Sequence, residues 1–115
     1  IEASDPVDSG DIFLKKTIKY NGLELYDEIR FKQAKATYNI IELFLNKYPN
    51  IQRKQQIGNS SYYPKRNPEM HKLNFKKSLM SQFNMLRISN NDDWPAFFMY
   101  KNNKFIIKIS KVKKK

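Results

Sequence analysis

Residues 70–109 contain Met70-His-Lys-Leu-Asn-Phe-Lys-Lys-Ser-Leu-Met-Ser-Gln-Phe-Asn-Met-Leu86, then Ala96-Phe-Phe-Met-Tyr100 and Phe105-Ile-Ile-Lys-Ile109. In the first stretch the apolar residues recur with helical period. At about 100° per residue, Leu73, Phe75, Leu79, Met80, Phe83 and Leu86 share one broad face. Asn74, Lys77, Ser78, Ser81 and Asn84 occupy the other, so residues 70–86 are predicted to form an amphipathic helix. Asn90-Asn91-Asp92-Asp93 breaks it. The next two runs flank Lys101-Asn102-Asn103-Lys104, and Phe105, Ile107 and Ile109 alternate with Lys104, Ile106, Lys108 and Ser110, which predicts a β-hairpin with lysines on its tip and outer face.

Upstream, residues 50–70 read as a loop, with Gly58-Asn59-Ser60-Ser61, Pro64 and Pro68 and the basic pairs Arg53-Lys54 and Lys65-Arg66. Residues 34–48 are again helical in period. Ala34, Tyr38, Ile41, Leu45 and Tyr48 form one stripe that Ile40 and Phe44 widen, which predicts a deeply buried helix ended by Pro49. Before it, Ile12–Tyr20 and Leu23–Phe31 flank Asn21-Gly22, the strongest short-range hairpin signal, so an N-terminal β-hairpin is predicted. Residues 1–10 are a lead-in with turn chemistry at Asp5-Pro6 and Ser9-Gly10, and residues 111–115 are a solvated basic tail. The expected fold is α+β. It is a small single domain over 1–115, with an N-terminal hairpin, two main amphipathic helices and a C-terminal hairpin in winged-helix-like order.

The chain has 115 residues, with 22 Lys and Arg against 11 Asp and Glu, a formal charge of +11. Hydrophobic residues make up 40% and aromatics 14%, which argues for a packed core rather than a disordered basic tail. The charge is uneven. Residues 1–30 carry a net −3, and residues 31–115 carry 18 bases against Glu42, Glu69, Asp92 and Asp93, a net +14. Such a field attracts a polyanion, either nucleic acid or an anionic membrane face. With no cysteine, disulfides, thiolate metal sites and a cysteine nucleophile are excluded. The chain opens on Ile1 rather than Met, and is expected to be a domain excised from a longer protein.

Enzyme signatures are missing: no nucleotide-binding glycine loop, no metalloprotease helix and no nucleophile elbow. The acid pairs Asp27-Glu28 and Asp92-Asp93 are adjacent, as solvated loop acids usually are. His71, the only histidine, reads as a surface or packing residue rather than a general base. No catalytic residue, metal or cofactor is expected.

The helix-then-hairpin order instead places a polar helix face beside basic strands. In a winged helix-turn-helix, the helix over 71–86 would enter the major groove, with Asn74, Lys77, Ser81 and Asn84 at base edges. Lys101, Lys104 and Lys108 on the wing would meet phosphates, flanked by Arg53, Lys54, Lys65 and Arg66. Tyr62 and Tyr63, next to Lys65 and Arg66, would stack on unpaired bases or, alternatively, cover the core. The expected function is non-catalytic nucleic-acid binding, with duplex DNA favoured and RNA as the other candidate, in a nuclear chromatin or transcription protein. The alternatives are an anionic-lipid module that holds an inositol phosphate with Arg30, Lys65 and Arg66, or a protein-interaction domain whose partner the sequence does not name.

Tyr20-Asn-Gly-Leu-Glu-Leu-Tyr-Asp-Glu-Ile29 resembles the opening hairpin of APSES and KilA-N DNA-binding domains. Lys35-Ala36-Thr37 is similar to their Asn-Ala-Thr helix start, and the Leu73, Asn74, Lys77, Leu79, Phe83 and Asn84 pattern resembles their later helix. That resemblance implies sequence-specific duplex DNA binding in a transcription regulator. Leu43–Tyr48 with Gly58-Asn59 and Tyr62-Tyr63-Pro64 resembles a PAZ module, which implies RNA 3′ ends. Asp5-Pro6, Arg30-Phe31, Tyr48-Pro49 and Pro64-Lys65-Arg66 resemble parts of a phox-homology domain, which implies phosphoinositides.

Overall fold

A computed structural model describes residues 1–112. It contains α1 (Tyr26–Lys47), a 3₁₀ turn (Pro68–His71), α2 (Leu79–Arg87) and the strands β1 (Ala96–Tyr100) and β2 (Asn103–Ile107). The class is therefore α+β. The tail expected over 111–115 lies, for residues 113–115, outside the described residues. The described residues group into two compact units. One is formed by Ile1–Lys19 with Lys32–Tyr63, the other by Tyr20–Phe31 with the chain from Pro64 on.

The second unit holds the buried apolar core. β1 and β2 pair antiparallel, with Phe98 opposite Phe105 and Tyr100 opposite Asn103. Their turn is tighter than the predicted four residues. Lys101 and Asn102 alone make it, both with positive φ (45° and 60°), the backbone that a two-residue hairpin loop requires. Leu73 lies alongside β1 and donates its N–H to the Phe97 carbonyl at 2.6 Å. Leu73, Leu86, Ala96 and Phe97 are buried, with Met85, Phe98, Ile107 and Ile109 packed around Leu73, Leu86 and Ala96.

The predicted helix over 70–86 is only half present. α2 spans nine residues and starts after Ser78, whose hydroxyl accepts the Ser81 N–H at 3.3 Å as an N-cap. Asn74 is held in a non-helical loop, where the Gln82 side chain bonds both its N–H (2.6 Å) and its carbonyl (2.9 Å). Ser and Asn side chains offer the backbone local alternatives to the helix, and here Asn74, whose Oδ1 accepts the Lys76 N–H, and Ser78 delay its start to Leu79. Leu73 and Leu86 still meet in one core, so the periodicity identified the right partners on the wrong element.

The N-terminal hairpin does not form. Gly22 takes the left-handed turn its residue type favours (φ +84°), but the chain beyond it enters α1. The buried Glu24 carboxylate folds back onto the N–H groups of Asn21 and Gly22, at 3.0 to 3.1 Å. Glu28 reaches back to the Leu25 N–H at 2.8 Å, the acidic half of a capping box. With Asp27, it also puts negative charge on the positive end of the helix. These side-chain caps start α1 at Tyr26, eight residues before the predicted 34. The helix ends at Lys47, ahead of Pro49 as expected.

In the first unit, Ile12 and Lys54 exchange backbone hydrogen bonds of 2.8 and 2.9 Å. Phe13 meets the edge of Phe44 at 5.3 Å between ring centroids. The deep burial predicted for this helix is not found: none of the 22 residues of α1 is buried. Ile40 and Phe44 are half-buried, whereas Tyr38, Ile41, Leu45 and Tyr48 are 74, 49, 66 and 65% exposed.

Candidate functional site

The residues expected at base edges do not share a helix face. Asn74 and Lys77 lie in the loop before α2, where the Lys77 N–H bonds the Asn74 carbonyl at 3.0 Å. Ser81 and Asn84 are on α2. The Ser81 hydroxyl donates to the Ser78 carbonyl, and Asn84 accepts from Arg87 Nε at 2.7 Å. Helix 71–86 as a continuous recognition helix is thus corrected to two loop residues and two helical ones.

The expected phosphate contacts also divide. Arg53 pairs with Glu2 and lies 4.0 Å from Asp11, and Lys108 pairs with Asp92 at 3.1 Å. Lys104 Nζ sits 3.9 Å from the centre of the Phe97 ring, and Lys101 Nζ 5.6 Å from that of Tyr100. Lys54, Lys65 and Arg66 are exposed. Tyr62 and Tyr63 are 88 and 85% exposed, so they cover no core. His71 is buried, as a packing residue would be. Its Nδ1 meets Ser89 Oγ at 2.9 Å, and because that hydroxyl donates to the Met85 carbonyl, the imidazole nitrogen is the donor. Burial, and secondarily the charge of Arg66, hold the His71 pKa below its ordinary value.

A tightly held turn lies in a segment read only as a lead-in. Asp8, in the run Asp5-Pro6-Val7-Asp8-Ser9-Gly10-Asp11, has a φ of +64°, which non-glycine side chains rarely adopt. Ser9 ties the turn to the Pro6 carbonyl through its N–H (3.2 Å) and its hydroxyl (2.6 Å). Gln56 Nε2 bonds the carbonyls of Asp8 and Gly10, each at 2.7 Å. Gly10 is buried with no space for a side chain, since a Cβ there would lie 2.0 Å from the Glu2 carbonyl oxygen. The turn walls an open cleft of about 690 Å³, lined by Asp8, Ser9, Asn59, Ser60, Ser61 and Tyr62 among others. Asp8 is the one carboxylate among its described lining residues. Backbone held in a sparsely populated region clusters at functional sites, because the surroundings must keep it there. The sequence signal for this site was the pairing of Asp5-Pro6 with Ser9-Gly10, which marked a turn without marking its use.

The α+β architecture and this cleft can be set against known proteins. No protein-family model and no curated protein sequence matches the chain. Among solved structures the fold is similar to methionyl-tRNA formyltransferase from Clostridium thermocellum, with a TM-score of 0.68 and 22% identity. The match covers 96% of this chain and 48% of that one, so the chain spans about half the length of that protein.

Proposed function

We propose that the chain serves in formyl transfer to an amine, as the half of an enzyme that contributes the Asp8 cleft. The observation that carries this reading is the fold match, which runs over 96% of the chain. In such a transfer the amine nitrogen attacks the formyl carbon, the bond to the donor breaks with its electron pair, and the nitrogen gives up a proton. A positioned carboxylate can take that proton, and Asp8 is the acid that the fold holds in an unfavourable backbone conformation inside a cleft. The name of the structural neighbour gives it an RNA-borne acceptor, and a chain of net charge +11 suits a polyanionic acceptor.

The test is a fusion in which this chain replaces the matching half of the Clostridium thermocellum protein, assayed for formylation of methionyl-tRNA and of small primary amines. Formyl product is expected, and Asp8→Asn should reduce it by about 100-fold, the scale of a lost general base. A folded fusion without product, or an Asp8→Asn variant that keeps full activity, would sink the proposal.

Non-catalytic nucleic-acid binding stands as a second reading, favoured by the net +14 over residues 31–115. Without a continuous helix over 71–86 it rests on phosphate contacts, with the exposed Lys54, Lys65 and Arg66 as the strongest candidates. Anisotropy with tRNA and duplex DNA across a salt series tests it. Binding that falls steeply with salt supports it, and loss of all binding at about 150 mM salt removes it.

A further inference from the structure

The C-terminal hairpin carries an aromatic face that the core does not use up. Phe98 and Tyr100 alternate along β1, and Phe105 stands directly opposite Phe98 on β2, so the three side chains project from one face of the sheet. At one end of that face Ala96 is buried and Ile107 packs on the core; toward the tip the face passes into aromatic rings. Phe98 and Phe105 are stacked, their ring centroids 5.3 Å apart and their planes 16° from parallel. Phe75 joins them from the loop before α2, 6.1 Å from Phe98 and, edge-on, 5.5 Å from Tyr100. This mutual packing leaves the rings half open. Phe75, Tyr100 and Phe105 are 52, 47 and 45% exposed, and with Phe98 on one face of the Phe105 ring, the other face is the open one.

The surroundings of these rings are basic. No acidic residue occurs between Met70 and Asn91, or from Trp94 to Lys115. Lys76 and Lys77 follow Phe75 directly, and Lys101 at the tip holds its Nζ 5.6 Å from the centre of the Tyr100 ring; all three lysines are exposed. An occupant that fits presents flat apolar faces to the rings and negative charge to the lysines. Unpaired bases joined by phosphates do both. A second copy of the chain does not, since it would bring the same positive charge to the contact.

We propose that Phe75, Tyr100 and Phe105 form a stacking platform for single-stranded nucleic acid, with Lys76, Lys77 and Lys101 on its phosphates. The platform uses neither the Asp8 cleft nor Lys54, Lys65 and Arg66, and it holds the bases themselves rather than the backbone alone.

The test is the anisotropy of a fluorescein-labelled oligothymidylate of about 12 nucleotides, titrated with the whole chain at one salt concentration. An abasic oligomer of equal length keeps the phosphates and removes the bases, and should bind at least about tenfold more weakly. Equal binding of the two overturns the proposal, as does tighter binding of a duplex of the same length, whose bases are already stacked on one another. Phe105→Leu keeps an apolar side chain on the hairpin and loses the ring face. It should weaken oligothymidylate binding about tenfold, leave the abasic oligomer as it was and leave the circular dichroism unchanged, and Phe105→Trp should bind as the unaltered chain does. Unchanged oligothymidylate binding by Phe105→Leu overturns the proposal. A loss caused by Tyr62→Leu with Tyr63→Leu in its place also overturns it, by moving the stacking to the loop over 62–63. So does sedimentation with phosphatidylserine vesicles that Phe105→Leu abolishes while oligothymidylate binding stays intact. The abasic comparison decides whether or not a variant folds. None of these readouts involves formyl transfer, and binding through phosphates alone appears as equal affinity for both oligomers, so this proposal fails separately from each reading above.

Discussion

The two compact units have sequences of similar apolar character and opposite outcomes. From Pro64 on, Leu73, Leu86, Ala96 and Phe97 are buried. In the unit built from Ile1–Lys19 and Lys32–Tyr63, Gly10 is the only described residue that is buried, although Tyr38, Ile41, Leu45 and Tyr48 make as regular a stripe as any in the chain. An apolar period shows that a face wants cover; it does not say that the same chain provides it.

The contrast can be broken most sharply at Phe97. It is 2% exposed, and Phe97→Ala should cost the second unit about 3–5 kcal/mol, read as lost near-ultraviolet circular dichroism and a lowered denaturation midpoint. In the first unit the largest response is expected at Gly10. The added methyl of Gly10→Ala would meet the Glu2 carbonyl, so the Asp8 turn must shift at a cost of about 1–3 kcal/mol. Hydrogen exchange at Ser9 and Ile12 would report it, and unchanged exchange would show that the turn yields freely.

A smaller effect comes from pH. His71 has its pKa lowered in the fold, so the unfolded chain binds more protons just below the ordinary value of 6.5. Stability of the second unit is therefore complete above about pH 6.5 and declines as pH falls from there toward the lowered folded value. Denaturation midpoints between pH 7.5 and 5 should fall, and His71→Leu should flatten that trend whatever it does to stability itself. The smallest effect is expected on the stripe. Ile41→Ser should change the stability of the isolated chain by less than about 0.5 kcal/mol, as for an exposed position. A loss as large as that at Phe97 would mean that α1 is covered after all.

What could be read from the sequence follows the range of the interactions. The C-terminal hairpin was legible because alternation and turn chemistry lie within a dozen residues. Asn21-Gly22 gave an equally local signal and misled, since Glu24 and Glu28 cap the same few residues and favour the helix. The pairing of Leu73 with Leu86 was legible as a shared face, whereas the helix between them was interrupted by Ser78 and the Gln82 amide, whose bonds to Asn74 span eight residues. The Asp8 cleft was not legible. Its backbone is fixed by Gln56, 48 residues along the chain, and no local pattern announces that bond.

That distance has a consequence for the order of assembly. A two-residue hairpin closes in microseconds, whereas bringing Gln56 to the carbonyls of Asp8 and Gly10 closes a far larger loop and incurs its entropy in one step. During synthesis the bonds that lock the Asp8 turn wait until Gln56 has left the ribosome. In refolding, the left-handed aspartate should be among the last features acquired and, for the same reason, among the first surrendered when the chain begins to open.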